Sequence, residues 1–209
     1  TGGDNHDIAK LQAEYPDRFL GFAWIDPLQG ASALQDIDTF ITNGSCTGIV
    51  MEPAIDTTPI KWKADAEELY LVYNLCDERD LPILFTWGGI LSDFNDYNPA
   101  QLLHICKDFP NLKIVLAHGG FPWVQAICQV ALQCPNLYLE PDIYMFSKYP
   151  GAADYYTAAN YILQDQFVFG SVYPGLSLKA AVDDYLTHLR AEVAEKVMYK
   201  NAAKVLGLV

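Results

Sequence analysis

This sequence lacks the marks of several large protein classes. No apolar run approaches the ~20 residues that a membrane-spanning helix requires, so no bilayer span is expected. Basic side chains are few, 13 against 26 acidic ones, and the formal net charge is −13. Such a surface repels a phosphate backbone, and nucleic acid is not expected as a partner. No block of like charge forms a binding tail. There is no GxGxxG and no P-loop, and hence no sign of a glycine-rich phosphate cradle. The five cysteines, Cys46, Cys76, Cys106, Cys128 and Cys134, include no CxxC spacing and are odd in number. They read as buried thiols of a reducing compartment, and a cytoplasmic location is expected. No signal peptide is recognisable; the chain opens on Thr1, and its natural start is expected to lie upstream.

What is present is a large apolar content, 51% hydrophobic against 19% charged, enough for one globular domain over residues 1–209. Short apolar runs alternate with helical patterns. The runs at 19–26, 47–52, 82–87, 113–117, 137–144 and 167–172 are too short for helices and predict six strands. Helical spacing is read at 4–15, 31–43, 65–79, 99–108, 122–133, 149–163, 178–189 and 191–206, with Pro122 taken to open its helix. A polar loop at 88–98 carries Asp93, Asn95 and Asp96. Regular strand–helix alternation implies parallel strands covered on both faces. An open doubly wound sheet and a (β/α)8 barrel both fit. The missing phosphate loop, and polar groups at nearly every strand end, favour the barrel with one shared mouth. Six strands cannot close a barrel of eight, so two βα units are expected to be absent from this chain.

The strand ends supply the candidate chemistry. They carry Asp26, Glu52, Thr86 and Trp87, His118, Glu140 and Asp142 with Tyr144 behind, and Ser171 and Tyr173. Carboxylates, one imidazole and hydroxyls around one ring suit a hydrolytic or decarboxylating pocket for a small-molecule substrate. Asp26, before Pro27, reads more simply as a turn former. His118, Glu52 and Asp142 are the catalytic candidates. Thr86, Trp87, Glu140, Tyr144, Ser171 and Tyr173 are the substrate-binding ones. Glu140 and Asp142, two apart in a strand, would face the same side. One of them should then carry a raised pKa and serve as acid or base. A catalytic zinc needs about three protein ligands and an open position. Only one histidine is well placed for this, so no residue is assigned as a metal ligand.

Five segments, PDRFLGFAWIDP (16–27), LPILFTWGG (81–89), IVLAHGGFPW (114–123), FGSVYP (169–174) and KNAAKVLGL (200–208), fall in one order. Together they resemble the amidohydrolase-related family, which includes aminocarboxymuconate-semialdehyde decarboxylase and related metal-dependent hydrolases. The resemblance implies a TIM-type (β/α)8 barrel, of which this chain would supply strands three to eight. It also implies a hydrolase or carbon–carbon lyase acting on a small carboxylated or cyclic metabolite. Zinc is the cofactor it implies. However, Thr86 stands where metal-binding members carry a histidine, and Val172 where they carry an aspartate. His118 matches the histidine used near the metal-bound water or substrate. A different metal held through Glu52, Glu140 and Asp142, a metal-free enzyme, or an inactive barrel that binds a ligand are therefore the alternatives. Homo-oligomerisation is left open.

Overall fold

The computed structural model describes residues 4–52, 62–90 and 97–209, so the Asp93, Asn95 and Asp96 loop lies outside the described residues. The sheet holds five parallel strands in chain order: β1 (Phe22–Trp24), β2 (Gly48–Met51), β3 (Ile83–Thr86), β4 (Ile114–Ala117) and β5 (Leu137–Glu140). The helices are α1 (Asn5–Glu14), α2 (Ala31–Ile37), α3 (Tyr70–Glu78), α4 (Pro99–Asp108), α5 (Val124–Gln133), α6 (Ala152–Asn160), α7 (Leu178–His188), α8 (Ala191–Glu195) and α9 (Asn201–Val205). None among the described residues is long and apolar enough to cross a membrane.

Strand alternation divides the side chains between two faces. Ala23, Ile49, Ile83, Phe85, Leu116 and Leu139 are all at most 1% exposed, on the face that joins the main core. The opposite row of Phe22, Trp24, Val50 and Leu84 is only half-buried. Further along that row Val115, Tyr138 and Val168 are buried against Ala202 and Val205. Unequal cover of this kind is what an arc, rather than a closed ring, leaves on its concave side.

The expected sixth strand shrinks to a single parallel bridge, Leu139 to Phe167. Leu139 N–H donates to Gln166 O and Val168 N–H to Leu139 O. The next donor in this ladder would be residue 141, which is proline and has no N–H. Pro141 also cuts β5 short, so residues 142–145 form a 3₁₀ turn rather than more strand. In the same way α5 begins at Val124, not at Pro122, because residues 118–120 first make a 3₁₀ turn.

At both sides of the sheet other parts of the chain bond to backbone groups. At β1 the Asn5 side chain donates to Trp24 O (2.9 Å) and accepts from Trp24 N–H (2.8 Å), imitating a neighbouring strand. At the other edge Phe169 N–H donates to Val197 O (3.0 Å), and Asn201 Nδ2 to Phe167 O (2.7 Å). Asn136 and Gln166 each donate to three carbonyls, those of Cys106, Phe109 and Leu112 and those of Ala131, Cys134 and Leu137, which include the last turns of α4 and α5. These amides satisfy orphan helix carbonyls at the strand starts, leaving the opposite strand ends for chemistry.

Candidate active site

β4 delivers His118 directly after Ala117, and β5 delivers Glu140, with Asp142 one turn beyond. His118 Nδ1 lies 2.5 Å from Asp142 Oδ2. Asp142 is 3% exposed, and its second oxygen, Oδ1, is buried without a hydrogen-bond partner. The His118 side chain keeps 25% of its surface open, so one edge of the imidazole can meet a solute. With Nδ1 donating to a carboxylate, Nε2 is left as the proton acceptor.

Both residues adopt positive φ, 63° at His118 and 46° at Asp142, and Val172, five residues beyond the bridge at Phe167, has φ 54°. Histidine and aspartate tolerate this region; a β-branched residue there is strained. Val172 is 40% exposed, so little packing compensates it. Val172→Asn is expected to raise unfolding free energy by about 1 kcal/mol, whereas Val172→Thr should not, as urea unfolding would show.

Two buried tyrosines hold the two turns, and neither was legible as functional from its spacing. Tyr155 of α6 donates to Gly119 O (3.0 Å), and Tyr185 of α7 to Asp142 O (3.3 Å). Both are 0% exposed. Tyr144 meets the His118 ring edge to face at 5.7 Å and stacks on Phe121 at 4.4 Å. Its hydroxyl accepts from Ile90 N–H (2.9 Å). Gly89, at φ 85°, lets this loop pass close over the site: a Cβ there would sit 3.1 Å from both His118 Cδ2 and Tyr144 Oη.

Glu140 behaves differently from Asp142. Thr86, Ala117 and Glu140 stand in one row across β3, β4 and β5. Burial pushes the Glu140 carboxyl well above its usual value of 4.5, and the charge of Asp142 adds to this. The expectation that one of the pair has a raised pKa thus falls on Glu140. They are not strand neighbours on one face, because Pro141 turns the chain between them. A carboxyl whose folded pKa is raised contributes its stability below the unfolded value. That stability is lost as pH rises from about 4.5 through the folded value. Glu140→Gln should therefore gain on the natural protein in unfolding free energy as pH rises above 4.5. A series of denaturant melts across pH would read the difference.

The remaining candidates are spread more widely. Thr86 is 6% exposed in the row beside Ala117. Glu52, half-buried at the tip of β2, makes no bond to His118 or Asp142. Trp87 is 1% exposed and packs on Tyr97 and Trp123 (5.1 and 5.4 Å), in the aromatic layer rather than beside His118. Ser171 Oγ accepts from Tyr173 N–H (3.2 Å), and Tyr173 is 71% exposed. Asp26 is a turn former, accepting from Leu28 N–H and the Gln29 amide. A cavity of about 490 Å³ beside the start of α5, lined by Phe121, Trp123, Gly151 and Asp154, does not include the pair.

The amidohydrolase family model matches residues 1–208. The chain belongs to the amidohydrolase family. It is similar to an uncharacterized TIM-barrel protein of Bordetella bronchiseptica, at 33% identity and TM-score 0.87, covering 98% of this chain and 72% of that one. It also shares its fold with 2,6-dihydroxybenzoate decarboxylase, at 14% identity and TM-score 0.79, covering 97% and 75%. The 5-carboxyvanillate decarboxylase of Sphingomonas paucimobilis matches at 18% identity and TM-score 0.72, covering 97% and 71%. No curated protein matches. This amidohydrolase chain is thus a partial TIM-type barrel, its strand tips gathered on one arc.

Among the described residues no three His, Cys, Asp or Glu side chains converge on one point. Thr86 and Val172 occupy strand tips without offering a strong donor. The orphaned Asp142 Oδ1 is one ligand atom, not a set. The described residues do not fit zinc.

Proposed function

We propose that this protein is an amidohydrolase-type hydrolase or carbon–carbon lyase acting on a small carboxylated aromatic or cyclic metabolite, with the His118–Asp142 pair as its base. The observation that carries this reading is the 2.5 Å contact between His118 Nδ1 and Asp142 Oδ2 at adjacent strand tips. Asp142 fixes the tautomer and steadies the imidazolium, and Nε2 takes a proton from water or from a substrate hydroxyl. Glu52 is assigned to orienting that water, and Thr86, Tyr144 and Ser171 to holding the substrate. The substrate class is supported by the names of the solved neighbours, decarboxylases of 2,6-dihydroxybenzoate and 5-carboxyvanillate. The cytoplasm is our proposed location, supported by five buried free thiols.

An assay of the protein on those two acids, with lactones and amides beside them, tests the reading. Turnover should survive strong chelators and fall by about 10²-fold or more in His118→Ala. Full activity in that variant would remove His118 from the mechanism. A barrel that binds such acids without turnover is the second reading, favoured by Thr86 and Val172 at two strand tips.

A further inference from the structure

We infer that the outer face formed by α5 and α6 is a contact surface for a second copy of this chain, joined through a two-fold axis that crosses the middle of α5. The inference does not depend on the reading of His118 and Asp142.

Charge sets this face apart. Residues 119–139 contain no Asp, Glu, Lys, Arg or His, where a chain with 19% charged residues would carry roughly four over that length. The residues of β5 in this stretch are buried and need no charge. The outer side of α5 is different: Gln125, Ala126, Gln129, Leu132 and Gln133 are exposed along it. α5 is the only α-helix among the described residues without a charged side chain. α6 carries a single one, Asp154, and residues 155–164 carry none. A helix on the outside of a domain usually turns a charged side to water. Here that side is neutral and shows Leu132, 48% exposed, and Ile162, 61% exposed. Loss of charge around exposed apolar side chains is the composition of an interface centre. Charge returns at the border, where Arg190 lies 4.9 Å from the centre of the Tyr161 ring.

Shape points to the same surface on another copy as the occupant. A groove runs between α5 and α6. Its wide part, the cavity of about 490 Å³, lies at the start of α5 against Phe121, Trp123 and Gly151. Its narrow part, about 230 Å³, lies between Gln129, Thr157 and Ile162. Gln125 and Asp154 line both parts, and the Gln125 amide donates to Asp154 Oδ2 (3.2 Å) where they meet. One end of the face is therefore hollow, and the other carries Leu132 and Ile162. The ends are about 15 Å apart, the length of the ten-residue α5. A two-fold rotation exchanges them, bringing Leu132 and Ile162 of each copy to the hollow of the other. Such an isologous contact closes at two copies. Charge selects the same occupant. Two copies, each at −13, repel one another, and this face lets them meet with only Asp154 on either side. A basic partner would gain more by settling on the acidic remainder of the surface. The contact also reaches the active site, because Phe121, on the wall of the hollow, stacks on Tyr144, which meets the His118 ring.

Sedimentation velocity on the full chain tests this. The natural protein should run at twice the chain mass at micromolar concentration. The association should tighten as added salt screens the repulsion between copies. Leu132→Glu and Gln129→Arg, both at exposed positions, should each raise the dissociation constant by about 10- to 100-fold, with the circular dichroism spectrum unchanged. Leu186→Glu, at a position of α7 that is 50% exposed, should leave it as it is. A chain that stays monomeric at those concentrations, a dimer indifferent to both α5 variants, or one broken equally by Leu186→Glu overturns the inference. An assembly larger than two overturns the closed two-fold contact and the inference with it.

Discussion

Asp142→Asn is expected to lower kcat by about 10²- to 10⁴-fold on any substrate the protein turns over, with KM little changed. Asparagine is the informative replacement. It tolerates the left-handed backbone that Asp142 adopts at φ 46°, where alanine would add strain of its own. It also fills the same buried space and keeps the backbone carbonyl that Tyr185 reaches. What it loses is the negative charge 2.5 Å from Nδ1. The amide can present its NH₂ to Nδ1, which stabilises the tautomer with the proton on Nε2. The imidazole would then face the substrate with a donor instead of an acceptor, and the nascent imidazolium would lack its counter-charge. Steady-state kinetics of the variant beside a thermal melt separates the two effects. Lost turnover with an unchanged melt supports the assigned role; unchanged turnover contradicts it.

Gly170→Ala is expected to destabilise the fold by about 1 kcal/mol, the low end of the cost of overpacking, because the atoms it meets belong to the flexible Glu140 side chain, which borders a chamber of about 220 Å³. Gly170 does not have a positive φ, so the backbone itself accepts alanine. The obstacle is the new Cβ, 1.2 Å from Glu140 Oε1 and 2.4 Å from its carboxyl carbon. The end of the Glu140 side chain must swing away, and the strand tips must part if it cannot. A double-mutant cycle separates this from a general backbone effect. Glu140→Ala with Gly170→Ala should recover most of the loss, since the clash has no second partner in the cycle. If the double variant is as unstable as the two single losses summed, the carboxyl does not occupy that space.

Much of the fold was legible because its signals are local. Prolines and glycines punctuate the chain at 27, 44 and 82, and the apolar runs between them are too short for anything but strands. The sixth strand was over-read. Its apolar run, 167–172, is real, but strand formation depends on a partner donor that Pro141 cannot supply, 26 or more residues earlier in the chain. The same proline changes how Glu140 and Asp142 meet. Alternation placed both on one face, whereas the turn separates them and makes Asp142 the partner of His118. Which carboxyl would have the raised pKa could not be read from spacing, because burial decides it and the residues around Glu140 come from distant segments. Tyr155 and Tyr185 left no signal at all. On helices their spacing reads as core, and core they are; only the reach of each hydroxyl to a turn carbonyl distinguishes them.

The departures from the family pattern at Thr86 and Val172 leave the neighbouring tips of β4 and β5 with an imidazole bonded to a buried carboxyl, and with a second carboxyl, Glu140, whose pKa burial pushes upward. Positive φ recurs at His118, Asp142 and Val172, and of the three only the β-branched Val172 is strained by it.

Proton-detected nitrogen NMR on protein labelled at histidine tests the central claim without any substrate. The account predicts a His118 Nδ1–H resonance that is strongly deshielded, protected from solvent exchange and lost in Asp142→Asn, with Nε2 unprotonated when the ring is neutral. A neutral His118 carrying its proton on Nε2, or an Nδ1–H signal untouched by Asp142→Asn, would contradict it.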